Sequence, residues 1–131
     1  MRFDSTSAET KNKDVSSDVS TPLFYKGRFY VLNSDRKSVS CVEPKTGKVF
    51  WEQRIEGGAK IEASPTAGDG KIYFQDMRAK VTILAAGNEP KVIFSGNMAD
   101  GEEKDVRSSI ALADGCLFIR TTRTLYCAGS K

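Results

Sequence analysis

Short runs in which apolar and polar residues alternate follow one another from Val19 to the end of the chain. An alternation with a period of two is typical of strands that bury one face, and clusters of Gly, Pro, Asn, Asp and Ser between the runs indicate turns. The region from Ser5 to Ser17 lacks this pattern, since Val15 is its only large apolar residue, and it is predicted to be a loop or linker. The predicted strands are 19–24, 28–32, 39–42, 49–55, 62–67, 71–75, 80–84, 91–95, 108–113, 116–120 and 125–128.

The runs repeat as a group. Gly27, Gly70 and Gly115 each precede a run of similar character, and they recur at intervals of 43 and 45 residues. A period of about 40 to 45 residues that contains several short strands is the spacing of propeller blades. The sequence therefore predicts an all-β fold, a partial β-propeller of about three antiparallel blades with four strands each, of which the last is incomplete. The predicted parts are a polar N-terminal segment or remnant of a preceding blade at 1–18, and blades at 19–57, 58–98 and 106–129.

Six residues are singled out as structural motif positions. Gly27, Gly70 and Gly115 are predicted to occupy equivalent tight turns, because glycine accepts the positive φ that such turns need. Thr46 and Gly47 are predicted to close the turn between the third and fourth strands of the first blade. Trp51 is predicted to pack between blades rather than to stack on a ligand. Phe94 falls about where the second blade would carry its counterpart.

The third blade has no fourth strand of its own, so one sheet edge is predicted to be open. Residues Met1 to Asp4 have the character of the end of a fourth strand. Because propellers have about four to eight blades, three cannot close a ring. We expect either that the chain is the C-terminal part of a larger propeller, or that two copies associate by strand exchange to give six blades. The chain by itself is predicted to present two open blade faces and one open edge, and such surface is not expected to stay bare.

Charge and composition exclude some partners. The net charge is +3 and the basic residues are not clustered, so neither nucleic acid nor an anionic membrane is an expected partner. No apolar run approaches the roughly 18 residues of a membrane span. The N-terminus continues into polar residues rather than an apolar signal core, so no signal peptide is predicted in this chain.

The sequence contains few candidates for chemistry. It has no histidine, which removes His-based zinc sites and Ser-His triads. Cys41, Cys116 and Cys127 form no CxxC pair, and a structural role is favoured over a disulfide or reactive thiol. The acidic stretch 100–105 does not have the spacing of an EF-hand loop and is interpreted as a solvated loop. Arg107 and Arg120 are candidates for binding an acidic partner, although solvated arginines are favoured. No catalytic, cofactor-binding or metal-binding residue is predicted.

The segment Cys41-Val42-Glu43-Pro44-Lys45-Thr46-Gly47-Lys48-Val49-Phe50-Trp51 resembles the repeat of the PQQ-like (quinoprotein-type) β-propellers, Ala-x-Asp-x-x-Thr-Gly-Lys-x-x-Trp. Cys41 replaces the Ala of that pattern and Glu43 replaces the Asp. Residues 107–129 are similar to the C-terminal blade of bacterial members of the family, so the resemblance covers roughly 19–129.

The resemblance implies a periplasmic or extracellular protein. Some members of the family are non-catalytic scaffolds that bind proteins, as in bacterial outer-membrane assembly, and others are dehydrogenases that hold PQQ and calcium. The calcium ligands, catalytic Asp and vicinal cysteines of the dehydrogenases are not recognisable in this sequence. We therefore expect a scaffold without enzymatic activity or cofactor, and keep a ligand- or glycan-binding propeller and a fragment of a PQQ-dependent dehydrogenase as alternatives.

Overall fold

A computed structural model describes residues 21–98, 105–121 and 124–129. Met1 to Asp4, the N-terminal segment and most of the acidic stretch 100–105 therefore lie outside the described residues. The described part of the chain folds into β-strands joined by turns and contains no helix, hence none long and apolar enough to cross a membrane. The strands are β1 Leu23–Tyr25, β2 Arg28–Asn33, β3 Ser38–Val42, β4 Val49–Arg54, β5 Thr66–Gly68, β6 Lys71–Gln75, β7 Lys80–Ala85, β8 Val92–Asn97, β9 Ala111–Ala113, β10 Cys116–Arg120 and β11 Leu125–Gly129.

The strands form three antiparallel sheets in which sequence neighbours pair, and these sheets are blades 1, 2 and 3. Blade 1 has the order β1-β2-β3-β4, blade 2 has β5-β6-β7-β8, and blade 3 has β9-β10-β11. Between blades, the strands in contact are the first ones, β1 with β5 and β5 with β9. This is the arrangement of a propeller, whose blades are set radially with their first strands next to the axis. The predicted partial all-β propeller with an incomplete last blade is confirmed.

The first strand of each blade is shorter than predicted. β1, β5 and β9 each pair over three residues, whereas the alternation of apolar residues began earlier in the sequence. Pro22 and Pro65 each stand shortly before such a strand. Since proline cannot donate a ladder hydrogen bond, pairing begins only after it. The residues before the strand join neighbouring blades instead, as when the Thr21 amide donates to Ser64 Oγ at 2.8 Å.

The hairpin between the first two strands is the same in all three blades. Gly27, Gly70 and Gly115 have φ of 80°, 73° and 76°, and each follows a residue whose φ is also positive. Two consecutive positive φ values define the type I′ turn, whose twist matches that of the flanking strands. These glycines therefore hold equivalent positions and fix the register of each blade.

Two apolar layers hold the blades together. The first lies between blades 1 and 2, and the second lies between blades 2 and 3. The buried members of the first are Tyr30, Leu32, Val39, Cys41, Trp51, Ile55, Ile61, Ile72, Phe74 and Leu84, and those of the second are Tyr73, Val81, Ile110 and Ile119.

The outward face of blade 1, which points away from blade 2, is also buried. Phe29, Val31 and Val42 lie on this face and are 4%, 3% and 1% exposed. The expectation of two open blade faces is therefore wrong for blade 1. Blade 3 differs, because Cys127 and Leu125 on its outward face are exposed.

Candidate functional site

Trp51, on blade 1, is the residue that blade 2 covers. Its side chain is 7% exposed and lies against Tyr30, with the ring centroids 6.0 Å apart. The indole Nε1 donates to the Gly87 carbonyl at 2.9 Å, and the Gly87 amide donates to the Tyr30 hydroxyl at 3.1 Å. Gly87 belongs to the hairpin between β7 and β8, so this hairpin covers the tryptophan. Trp51 therefore packs between blades and has no free face for a ligand.

Arg28 adds a polar clamp to the same contact. Its guanidinium stacks over the Phe50 ring at 4.3 Å from the centroid and donates to the Gly87 carbonyl at 3.2 Å. A further hydrogen bond joins it to Asn88 Oδ1. The aliphatic part of an arginine side chain can cover apolar surface while its guanidinium donates hydrogen bonds. Arg28 therefore covers the edge of the interface between blades 1 and 2.

Thr46 and Gly47 form the turn between β3 and β4. Gly47 has φ of 75° and its amide donates to the Glu43 carbonyl at 2.9 Å. Thr46 Oγ1 accepts from the Lys48 amide at 3.2 Å. These contacts lie within the turn, and they place β4 so that Trp51 points at blade 2.

Phe94 occupies in blade 2 the position that Trp51 occupies in blade 1. Trp51 pairs with Cys41 and Phe94 pairs with Ile83, in each case next to a β-bulge. Their surroundings differ, because Phe94 is 48% exposed. By register, the counterpart of Gly87 in blade 3 is Lys131, which lies outside the described residues. The described residues therefore leave Phe94 without the cover that Trp51 has.

The outer edge of blade 3 ends at β11. In blades 1 and 2 the Glu43 and Ala85 amides donate to Lys48 and Lys91, at the start of the fourth strand. In the strand register, Gly129 of blade 3 is equivalent to Glu43 of blade 1 and to Ala85 of blade 2. No fourth strand stands beside β11 among the described residues. We call β11, together with Phe94 of blade 2, the open edge.

The large apolar side chains that are exposed lie on blade 1 (Phe24 and Phe50), on β8 and on β11. Leu125, on β11, is 65% exposed, and Val92 and Ile93, on β8, are 44% and 45% exposed. Such side chains at a sheet edge are typical of a surface that pairs with another strand.

The three cysteines have different surroundings. Cys41 is fully buried, and burial raises the pKa of its thiol, in keeping with the predicted structural role. Cys127 pairs by register at the equivalent place in blade 3 but is exposed. The pKa of Cys127 is raised, chiefly because its thiol donates a hydrogen bond to the neighbouring Cys116, and both side chains project from the same face of blade 3. The sequence prediction missed this pair, because residues separated by a hairpin become neighbours only once the strand register is known.

The two candidate arginines contribute no joint anion site. Arg107 Nε donates to Glu62 Oε2 at 2.5 Å, and a second contact reaches Asp105 at 3.9 Å. The hydrogen bond to Glu62 raises the pKa of Arg107. Arg120 lies at the exposed end of β10. Arg107 therefore already has carboxylate partners, and among the described residues no group of three or more acidic, cysteine or histidine side chains is placed to hold a metal ion.

A shallow cleft of about 460 Å³ lies between blades 2 and 3, at the type I′ turns. Tyr73 and Leu112 line its base, and Asp69 and Asp114 lie at its rim. Its volume is in the range of small-molecule pockets.

Two buried polar residues that sequence reasoning missed join successive blades. Asp76 accepts backbone hydrogen bonds from Ala59, Arg78 and Lys80 at 2.8 to 2.9 Å, which ties the linker after blade 1 to a turn of blade 2. Gln75 Nε2 donates to the Ser108 and Arg120 carbonyls, in blade 3. An aspartate before a turn is a common signal for such capping, whereas the partners of Gln75 depend on how the blades pack.

The sequence matches no family model and no curated protein. Among solved structures, BamB from Moraxella catarrhalis superposes with a TM-score of 0.69 at 13% identity, over 88% of this chain and 34% of that protein. Quinohemoprotein alcohol dehydrogenase from Comamonas testosteroni gives 0.65 at 18% identity, over 82% of this chain and 18% of that protein. The computationally designed Ika4 protein gives 0.53 at 9% identity, over 91% of this chain and 95% of that one.

These likenesses define the class of protein, a β-propeller built from repeated four-stranded blades. At 13% and 18% identity, BamB and the quinohemoprotein dehydrogenase show the propeller fold that the motif around Trp51 implied. This chain spans about a third and about a fifth of the lengths of those two proteins.

Proposed function

We propose that this chain is a non-catalytic propeller scaffold that binds a protein partner by accepting a strand at the open edge of blade 3. The observation that carries the proposal is the contrast between two equivalent positions. Trp51 is 7% exposed because the next blade covers it, whereas Phe94 is 48% exposed and no fourth strand stands beside β11 among the described residues. A strand added to β11 would supply the missing ladder and cover apolar surface in a single step.

The other blades indicate what the partner strand looks like. In both complete blades the fourth strand runs antiparallel to the third and places an aromatic residue, Trp51 or Phe94, opposite the position equivalent to Cys127. A partner strand with an aromatic residue at this place fits the open edge. It belongs to a further blade of a larger propeller, to a second copy of this chain, or to another protein.

The comparison with BamB supports a scaffold role, and the family resemblance extends that role to a periplasmic or extracellular setting. The proposal includes the absence of enzymatic activity.

The test uses a fluorescent peptide that copies residues 91–98, the fourth strand of blade 2, and a scrambled peptide of the same composition. We expect saturable binding of the copy to the chain by fluorescence anisotropy, and weaker binding to Leu125→Lys, because an added charge at an edge opposes strand pairing. Leu125 is 65% exposed, so this change leaves the fold intact. Glu89→Gln, in an exposed turn of blade 2, is the matched charge control, because it changes the net charge by the same +1. Equal binding of the copied and scrambled peptides would exclude strand addition.

A ligand- or glycan-binding propeller remains the second candidate, because the cleft between blades 2 and 3 combines Tyr73 with the carboxylates of Asp69 and Asp114. A glycan array followed by titration of Asp114→Asn would reveal it.

For the dehydrogenase alternative, we expect no saturable change of PQQ absorbance on adding the chain with calcium. Micromolar binding in that titration would contradict the scaffold proposal.

A further inference from the structure

Two thiols lie side by side on the outward face of blade 3. Cys116 pairs with Gly129 across β10 and β11, and Phe118 pairs with Cys127, so both cysteines project from the same face two residues apart in register. Cys127 is exposed and Cys116 is half-buried. No blade covers this face among the described residues, and the pair is accessible to solutes.

The absence of a side chain at Gly129 allows the two thiols to approach. The place where a Cβ on Gly129 would stand is 2.9 Å from Cys116 Sγ and 2.9 Å from the Gly115 carbonyl oxygen. The Cys116 thiol therefore lies over Gly129 of β11, on the same face as Cys127.

The register favours chelation over a disulfide. Diagonal neighbours on antiparallel strands have Cα atoms about 7 to 8 Å apart, whereas a disulfide requires about 4.4 to 6.8 Å. A bridging ion relieves this mismatch, because two metal–sulfur bonds of about 2.3 Å each span a longer gap than one sulfur–sulfur bond.

We propose that Cys116 and Cys127 chelate a thiophilic cation of the Zn²⁺ and Cd²⁺ class, with the Gly115 carbonyl oxygen as a third donor. Binding forms two metal–sulfur bonds and releases the two thiol protons to solvent, with no change of oxidation state. Sulfur ligands select this class of ion over Mg²⁺ or Ca²⁺. Water or a donor from a partner completes the coordination. The thiols are side-chain groups and the strand-pairing groups of β11 are backbone atoms, so metal binding can be tested on the free chain, without a partner strand.

The experiment titrates the chain with Cd²⁺ under a phosphine reductant and follows the ultraviolet thiolate-to-cadmium charge-transfer band. We expect one ion per chain and a band that is lost in Cys116→Ser and in Cys127→Ser alike. Loss of a group that merely supports a ligand weakens metal binding about 10- to 100-fold, so removal of a ligand should weaken it at least as much. Cys41→Ser is the matched control, because Cys41 is fully buried and should leave the titration unchanged.

The fluorescence of Trp51 during unfolding confirms that each variant is folded, since this residue lies in the layer between blades 1 and 2, away from both thiols. A band that persists in either single variant, or one that disappears only in Cys41→Ser, would overturn the proposal. So would rapid formation of an internal disulfide with oxidised glutathione in a chain that binds no Cd²⁺, because the pair would then be a redox site.

Discussion

At the scale of single residues, the contact between Trp51 and Gly87 carries much of the interface between blades 1 and 2. The indole contributes both buried apolar area and one hydrogen bond to a backbone carbonyl. Substitutions can separate the two contributions, because phenylalanine retains a ring but has no N–H donor.

Trp51→Ala is expected to lower the free energy of unfolding by about 3 to 5 kcal/mol, the usual cost of emptying a buried aromatic site. Trp51→Phe should forfeit mainly the hydrogen bond, about 0.5 to 1.5 kcal/mol, together with some packing. Urea unfolding followed by circular dichroism measures both. Phe94→Ala is the matched comparison and should cost less than Trp51→Ala, since Phe94 is 48% exposed. An unchanged midpoint for Trp51→Ala would reopen the ligand-stacking interpretation.

The residues that could be recognised from the sequence are those whose roles depend on the local backbone geometry of a turn. The glycines of the type I′ turns and the Thr46-Gly47 turn are recognisable because φ preference and turn chemistry are properties of adjacent residues. The contact between Cys116 and Cys127 was not predictable in this way, because it requires the register of β10 and β11. Nor was the burial of Phe29, since alternation shows which residues share a face and not what covers it.

At the scale of elements, the blades are joined by buried polar groups as well as by apolar layers. Asp76 receives three backbone N–H donors and is 4% exposed. It fixes the linker that leads from blade 1 into blade 2. The strand boundaries were predicted to within a few residues for the second and third strands. The first strands are shorter than predicted, in blades 1 and 2 because proline delays pairing.

Asp76→Ala is expected to destabilise the chain more than Asp76→Asn. The alanine leaves three buried N–H groups without an acceptor, and each such group costs about 1 to 3 kcal/mol. Asparagine keeps one acceptor oxygen and should retain the turn bonds from Arg78 and Lys80, losing the bond from Ala59. Thermal unfolding of both variants checks the order. Equal melting temperatures would show that water replaces the carboxylate.

At the scale of the whole molecule, the three blades make up only part of a ring. The repeat period predicted the blade count and the missing fourth strand, because both follow from counting strands along the chain. What closes or extends the assembly could not be predicted, since the outward face of blade 1 is covered while the open edge of blade 3 is bare.

Light scattering of the chain with and without residues 1–18 tests association by strand exchange. If Met1 to Asp4 of one copy pairs with β11 of another, we expect a dimer that dissociates when these residues are removed. A monomer in both forms would rule out strand exchange and leave a further blade or a different protein as the source of the strand.

The residues of blade 2 that cover Trp51 are synthesised after it. The tryptophan and the glycine carbonyl that receives its N–H are 36 residues apart in the chain. At synthesis rates of about 5 to 20 residues per second, roughly 2 to 7 seconds pass after Trp51 is made before its partner exists. The packing of blade 1 is thus completed only when blade 2, which is translated after it, is available. A nascent chain stalled before Gly87 should expose this aromatic residue to chaperones, and release of the stall should withdraw it.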